Sequence, residues 1–482
     1  MPDIGKIRAS LKKHGQSHLL SHYEALLPDQ RQVLLEQIAS IDFDRLDDLI
    51  KRYVLAEPPT SIPTAIEPPP IIPGKPADDA AADRFRKAAR CGGELMASGK
   101  VAAFIVAGGQ GTRLGYEAPK GCLEATPVRH KPLFHLFAEQ ILAAGKRAGT
   151  CAPWYIMTSP ANDVATRAFF RQHKNFGLEA GDVFFLVQGT TPSVGLDGKV
   201  LLAGKGGLAL SPNGHGGSLE ALRNSGALAD MAKRGIEYIS YFQVDNPLVR
   251  CLDPLFIGLH AMEGAEMSAK CLPKRDPMER LGNFCLVDGK VTVIEYSDLP
   301  EELARATTPD GRLRFSAGSI AIHILSRSFV ERLTAGGACA LPVHRAFKTV
   351  PFVDEAGQLV RPEHPNAAKF EMFVFDALAL AKKTVILETT RSEEFSPIKN
   401  ASGPDSLTTS LHDQVRRAAA WLEKAGIQVP RDADGQVAAA IEISPLFADS
   451  AEDLVAKVDP KLTITAGSSL YLGSRGQAGG HR

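Results

Sequence analysis

The chain has 482 residues, more than one hydrophobic core organises, so two or three domains are expected. An apolar fraction of 44% with mean hydropathy −0.07 describes an ordinary globular protein. A net charge of zero and a pI near 7.2 exclude a dedicated nucleic-acid or membrane-surface binder, which needs a basic excess, but not a small anionic ligand held by a few cations.

Residues 1–56 read as an N-terminal helical region. Leu19, Leu20, Leu26 and Leu27, then Val33, Leu34, Ile38 and Ile41, fall near 3.6 spacing. Residues 57–94 are a proline-rich strap and a lead-in helix. Residues 57–76 carry eight prolines, which lack a backbone donor and favour extended geometry, so a semi-rigid linker is expected there. Residues 95–400 have α/β texture. Apolar runs at 102–107, 154–158, 183–187 and 238–244 alternate with helical patterns at 132–148 and 161–173. Unbroken apolar runs suit strands buried on both faces, so the expected fold is α/β, a mixed, mostly parallel sheet flanked by helices in a Rossmann-like layout. Ligands of such sheets collect at the carboxyl ends of strands, where the glycines at 108–111, Gln188 and Asp245 all fall. Residues 401–482 predict a small C-terminal domain with a helix over 410–425, a strand over 462–466 and a disordered end at 476–482. No apolar run reaches the roughly 20 residues of a membrane span, and MPDIGKIRAS has no apolar signal core. Seven scattered cysteines without a CxxC pair predict reduced thiols in a cytoplasm.

The stretch VAAFIVAGGQGTRLGYEAPK (101–120) ends a strand in a glycine turn followed by two cations. Leu114 stands where a dinucleotide fingerprint needs its third glycine, and no GxxxxGK[ST] loop occurs in the chain. What remains is a turn of bare amides at Ala107, Gly108, Gly109 and Gly111, able to cradle phosphate oxygens, with Arg113 and Lys120 to neutralise them. Asp245 reads either as a metal carboxylate or as a helix cap or partner of Arg250.

AGGQGTRLGxxxPKG resembles the signature of the eukaryotic-type UDP-sugar pyrophosphorylases and is most similar to the UDP-N-acetylglucosamine enzymes. SPNGHGG (211–217), VDNPLV (244–249), VIEYS (293–297), FSAGS (315–319), KFEMFVFD (369–376) and EFSPIKN (394–400) resemble further blocks in the same order. The resemblance implies a Mg²⁺-dependent, cytoplasmic uridylyltransferase that joins UTP and a sugar 1-phosphate, N-acetylglucosamine 1-phosphate favoured, into a UDP-sugar and pyrophosphate. It implies that Arg113 and Lys120 hold the departing phosphates, that Lys369 touches UTP, that Lys399 reaches the sugar phosphate and that Asp245 takes the metal. Gln188, as donor and acceptor, and Gly214, as bare backbone beneath the base, would recognise uracil; Glu295 and Tyr296 would bind sugar hydroxyls. His215 and Ser319 stand where the acetylglucosamine enzymes carry asparagines, so a glucose 1-phosphate or broad-range enzyme stays open, as does a catalytically silent nucleotide- or sugar-binding protein on the same scaffold. A monomer is slightly favoured, with neither nucleic acid nor membrane as partner.

Two further patterns carry blander readings. His14, His18 and His22 fall at i, i+4, i+8 and could ligate zinc, but Gly15 among them favours a solvated helix face. The acidic run 42–48 lacks the central glycine and closing glutamate of a calcium loop and reads as a charged helix face.

Overall fold

The computed structural model describes residues 2–56, 65–337 and 339–473. Two compact units divide the chain. One is formed by residues 1–64, 188–220 and 339–376, the other by 65–187, 221–338 and 377–482.

The larger unit is built on a ten-stranded mixed sheet. Its strands are β1 (Ile66–Glu67), β2 (Val101–Val106), β3 (Trp154–Thr158), β4 (Val183–Val187), β5 (Tyr238–Gln243), β6 (Met267–Pro273), β7 (Asn283–Val287), β8 (Lys290–Ile294), β9 (Ala317–Ser326) and β10 (Thr384–Glu388). Strands β5, β2, β3 and β4 run parallel in that spatial order. On the other side of β5 the sheet turns antiparallel through β9, which also pairs β6. VAAFIV and WYIMT have no polar alternation because helices cover both faces, and every residue of β3 is buried. Helix Leu133–Ala148 sets Phe134 against Trp154 of β3 and against Phe170 of helix Asp163–Gln172, with ring centroids 6.2 and 4.9 Å apart. Burial of each such side chain contributes about 1.5–3 kcal/mol.

One irregularity shapes the sheet beside the candidate site. Strand β9 pairs β5 only up to Tyr241 opposite His323, and its register against β6 shifts between Ala269 and Cys271. The extra residues include Ala321, whose φ of +57° is the left-handed conformation a side chain disfavours. Such a bulge bends a strand away from its neighbour. Here it leaves a cavity of about 60 Å³ bordered by Gln243 and Asp245 on one side and by Ser319–Ile322 on the other.

Residues 57–64 of the proline-rich stretch lie outside the described residues. The remainder is no free-standing linker: Ile66 and Glu67 pair with Val287 and Leu286, and the Ile72 amide donates to Ile386 O at 2.8 Å. Isoleucines between the prolines keep the N–H groups that sheet edges require. At the other end, helix Leu407–Lys424 opens on a Ser406 capping box, three residues before the expected start. The expected strand over 462–466 is irregular; the strand is Ser469–Leu472, parallel to Ala440–Ile443. Leu462–Thr465 alternates as a strand would, but among the described residues no neighbouring strand supplies its ladder. These elements share their own apolar cluster, with Ala419, Leu422, Ile441 and Leu454 fully buried. The end 476–482, expected to be disordered, lies outside the described residues.

In the smaller unit, helices Ile4–Lys13, Pro28–Ala39 and Phe43–Tyr53 bury Leu11, Leu34, Ile38, Leu46 and Ile50 against Val194, Val200, Leu208 and Phe370. Asp42 caps the third helix by accepting from the Arg45 amide at 3.0 Å, and Asp44 and Asp48 are exposed, as a charged helix face requires. The three histidines depart from expectation. Gly15, at φ +66°, ends the first helix, so they do not share a helix face, and all three are part-buried, not a solvated face. His14 bonds Asp47 at 2.7 Å and stacks on Phe43, while His18 and His22 donate to Val200 O and Asp354 O. They bind the helices to the unit's other segments.

Candidate functional site

The glycine turn leaves β2 at Ala107, whose amide is the last to join the ladder, donating to Met157 O at 2.8 Å. The turn is held from outside. Asn162 is buried and donates through Nδ2 to Ala107 O at 3.0 Å and Gly109 O at 3.3 Å, while Gly111 N donates to Ala118 O. The amides of Gly108, Gly109 and Gln110 donate to no protein group among the described residues. Nothing lies within 4 Å of where a Gly109 side chain would start, so the turn presents donors to open space. Asn162 is a feature sequence reasoning missed; an asparagine 53 residues past Gly109 gives no local signal.

Arg113 stands exposed on the following 3₁₀ turn, without ion pair or hydrogen bond among the described residues. Lys120 is half-buried and donates through Nζ to Ile398 O at 3.1 Å. Burial, then the charges of Lys399 and Arg113, push its amine below the ordinary lysine range, against the pull of Asp245. Asp245, Lys399 and Arg113 are thus the charges that act on Lys120. Asp245 follows β5, the neighbour of β2, and its carboxylate has no hydrogen-bond partner among the described residues; it does not pair with Arg250, which lies 3.8 Å from Asp253 instead. Asp245, Ser319 and Lys399 line the same cavity beside the β9 bulge. Ser319 N donates to Gly282 O at 2.8 Å, and a side chain at Gly282 would start 3.7 Å from Glu295 Oε1. Ser319 and Glu295 therefore flank one residue, and Tyr296 beside them is 37% exposed.

Beneath Asp245 lies a buried ionic cluster that the motifs did not announce. Lys270, 1% exposed, holds Asp253 Oδ2 and both Glu394 oxygens at 2.6 Å. Burial alone would raise the Asp253 carboxyl, but Lys270 and Arg250 beside it carry it far below the usual carboxylate range. Burial pushes the thiols of Cys122, Cys271 and Cys285 up to about 12, leaving them unreactive, and all seven cysteines are free.

In the smaller unit, Gln188 is buried and spends its amide nitrogen on the protein. Nε2 donates to Gly214 O at 2.7 Å and Asn213 Oδ1 at 3.3 Å. It was expected to offer donor and acceptor to a ligand; only Oε1 is left, because the turn at 213–217 needs the donors. Gly214 also differs from expectation. It sits at φ +80°, and a side chain there would overlap the Met372 backbone, so its bareness serves the packing of KFEMFVFD against the turn. His215 Nδ1 accepts from Val374 N at 3.1 Å, which puts the ring proton on Nε2 as a donor. Burial, with His344 nearby, lowers its pKa to about 4, so the ring is neutral, stacked on Phe373 at 5.3 Å. Lys369 lies on strand Ala367–Glu371, opposite Ala346. The candidate residues thus fall into two sets, each intact within its own unit.

Among the described residues no helix is long and apolar enough to cross a membrane. Residues 75–425 match the family model described as UTP–glucose-1-phosphate uridylyltransferase. The chain is 38% identical over 474 residues to the human UDP-N-acetylhexosamine pyrophosphorylase-like protein 1, covering 93% of each chain. It is 34% identical over 457 residues to the UDP-N-acetylglucosamine pyrophosphorylase of Saccharomyces cerevisiae, covering 91% of this chain and 94% of that one. The crystal structure of the Trypanosoma brucei uridine diphosphate N-acetylglucosamine pyrophosphorylase in complex with an inhibitor superimposes with a TM-score of 0.81 at 25% identity, covering 98% and 99% of the two chains.

Proposed function

Because the chain belongs to the UTP–glucose-1-phosphate uridylyltransferase family, we propose that it transfers the uridylyl group of UTP to a sugar 1-phosphate, N-acetylglucosamine 1-phosphate favoured, releasing pyrophosphate in the cytoplasm. The observation that carries this reading is that Asp245 and Lys399 line one cavity while Lys120, on the turn after the neighbouring parallel strand, donates to Ile398 O beside Lys399. Two polyanions must meet for this reaction, so positioning and charge neutralisation supply the catalysis.

A phosphate oxygen of the sugar 1-phosphate attacks the α-phosphorus of UTP as the bond to the bridging oxygen breaks, and the electron pair leaves on pyrophosphate. Arg113 and Lys120, with the amides of the turn, hold the departing phosphates. Lys399 holds the attacking phosphate and Lys369 a UTP oxygen. Gln188 accepts the uracil N3–H through Oε1. Glu295 and Tyr296 bind sugar hydroxyls.

Among the described residues no cluster of three or more His, Cys, Asp and Glu could hold a metal ion by itself. Asp245 nevertheless fits Mg²⁺, which takes one or two protein carboxylates plus substrate phosphates, and its oxygens are not engaged by the protein. When bound, Mg²⁺ would screen charge between the two phosphate groups.

His215 and Ser319 bear on the sugar. An Nε2–H donor serves an acetamido carbonyl and a hydroxyl oxygen alike, so the two asparagines lost here leave at least one donor in their place. Pyrophosphate release measured with UTP, Mg²⁺ and a panel of sugar 1-phosphates tests the reading. N-acetylglucosamine 1-phosphate is expected to give the highest kcat/KM. If none of the sugars gave release, a silent binding protein would be favoured, and a preference for glucose 1-phosphate would reassign the pocket.

A further inference from the structure

The segments that carry Asp245 and Lys399 are 154 residues apart in the chain. Besides the Arg417 guanidinium, which donates to Leu248 O and Glu393 O at 3.0 and 2.9 Å, one buried side chain beside Asp245 ties them together. Asn246, 4% exposed, donates through Nδ2 to Glu394 O at 2.7 Å. Its Oδ1 accepts from Ser396 N at 3.0 Å and from Leu248 N at 3.3 Å. Two residues further on, Ile398 N donates to Asp245 O at 2.8 Å, and Ile398 O receives Lys120 Nζ. Glu394, the residue gripped by Asn246, is itself anchored: Lys270 and Thr389 hold its carboxylate, and Lys270 is fixed in turn by Asp253. The chain of contacts runs without a break from the sheet interior at Lys270 to the groups at the cavity.

We propose that Asn246 is a positioning residue that sets the distance between Asp245 and Lys399, making the metal-binding carboxylate and the phosphate-binding lysine one rigid pair. The proposal rests on the roles given to Asp245 and Lys399 above. The physical need is specific. Lys399 is exposed, its amide donates to Asp405 O and its Nζ lies 5.9 Å from the centre of the Phe395 ring, so its place depends on how the 394–398 segment is held. A side-chain amide can satisfy the strand-end loop and the 394–398 segment at once because it both donates and accepts. An aspartate keeps the two accepting bonds and loses the donation to Glu394 O. An alanine loses all three and leaves that carbonyl and two amides without a partner in the interior.

The test compares Asn246→Ala and Asn246→Asp with Ser240→Ala, which removes a buried hydrogen bond of the preceding strand, Ser240 Oγ to Cys251 O at 2.7 Å. Hydrogen exchange of the Ser396 and Ile398 amides is read first, since it needs neither metal nor turnover. Exchange there is expected to speed up at least tenfold in Asn246→Ala and to stay unchanged in Ser240→Ala. Unchanged exchange in Asn246→Ala would overturn the clamp. Steady-state kinetics follow, at saturating UTP. The KM for sugar 1-phosphate and the Mg²⁺ half-saturation are expected to rise together by about tenfold or more in Asn246→Ala, and by less in Asn246→Asp. Values within twofold of the parent, with exchange accelerated, would overturn the positioning role. A parent chain that releases no pyrophosphate would instead sink the proposed reaction, while the exchange result would still decide the clamp.

Discussion

The strand-end cluster of the larger unit and the turn-and-strand cradle of the smaller one handle polar groups in opposite ways. Around Asp245 the charged atoms are left open: Arg113 and Lys399 are exposed, and the Asp245 carboxylate accepts no hydrogen bond among the described residues. In the cradle the polar groups are engaged from within, Gln188 by Gly214 and Asn213, and His215 by Val374. The contrast follows from range. A phosphate is recognised by charge, which acts over several ångströms and tolerates small displacements. A base edge or a sugar hydroxyl is recognised by direction, so its partners must be fixed in advance, and the protein's own hydrogen bonds fix them.

If that contrast holds, removing an open charge will harm catalysis and spare the fold. Lys399→Ala is expected to lower kcat/KM by about 10²–10³ with little change in Tm, checked by steady-state assay and calorimetry. A large fall in Tm would show that the lysine is structural. The cradle should behave in reverse. Gly214→Ala forces a side chain into the Met372 backbone at a left-handed φ, so a loss of about 3 kcal/mol is expected from urea unfolding, whether or not ligand is present. A neutral result would mean that the turn and the KFEMFVFD strand are not locked together.

The smallest expected effect is on pH. Folding lowers His215 to about 4 and His260, buried between Ser268 and Ser326, to about 3, both below an ordinary 6.5. The unfolded chain therefore binds more protons below pH 6.5. The stability these rings contribute is complete above that pH and is lost as pH falls toward 4 and 3. His260 alone should make the protein about 2 kcal/mol less stable at pH 5 than at pH 7, and His260→Gln should flatten that slope. Equal slopes in the two proteins would remove His260 from the account.

Much of the site was legible because its chemistry is local. VAAFIVAGGQGTR carries strand, turn and cation within thirteen residues, and the structure keeps them in that order. The expected helices at 132–148 and 161–173 fall within two residues of those found, since periodicity reports which face is buried. Where the reading went astray, a distant segment made the decision. A strand pattern at 462–466 found no neighbour. Three histidines at helical spacing were separated by Gly15 and bound to residues as far away as Asp354. Gln188 gave its donors to a turn 25 residues on.

By itself the sequence determined a sheet with buried parallel strands, a phosphate-ready turn, the cations to serve it and the family these imply, because apolar runs, glycines and charges act through their nearest neighbours. Only the tertiary structure decided which polar groups are still free to meet a ligand. Hydrogen bonds are short and directional, and whether Gln188, His215, Asn246 or Asp245 is already engaged depends on segments that folding brings beside it.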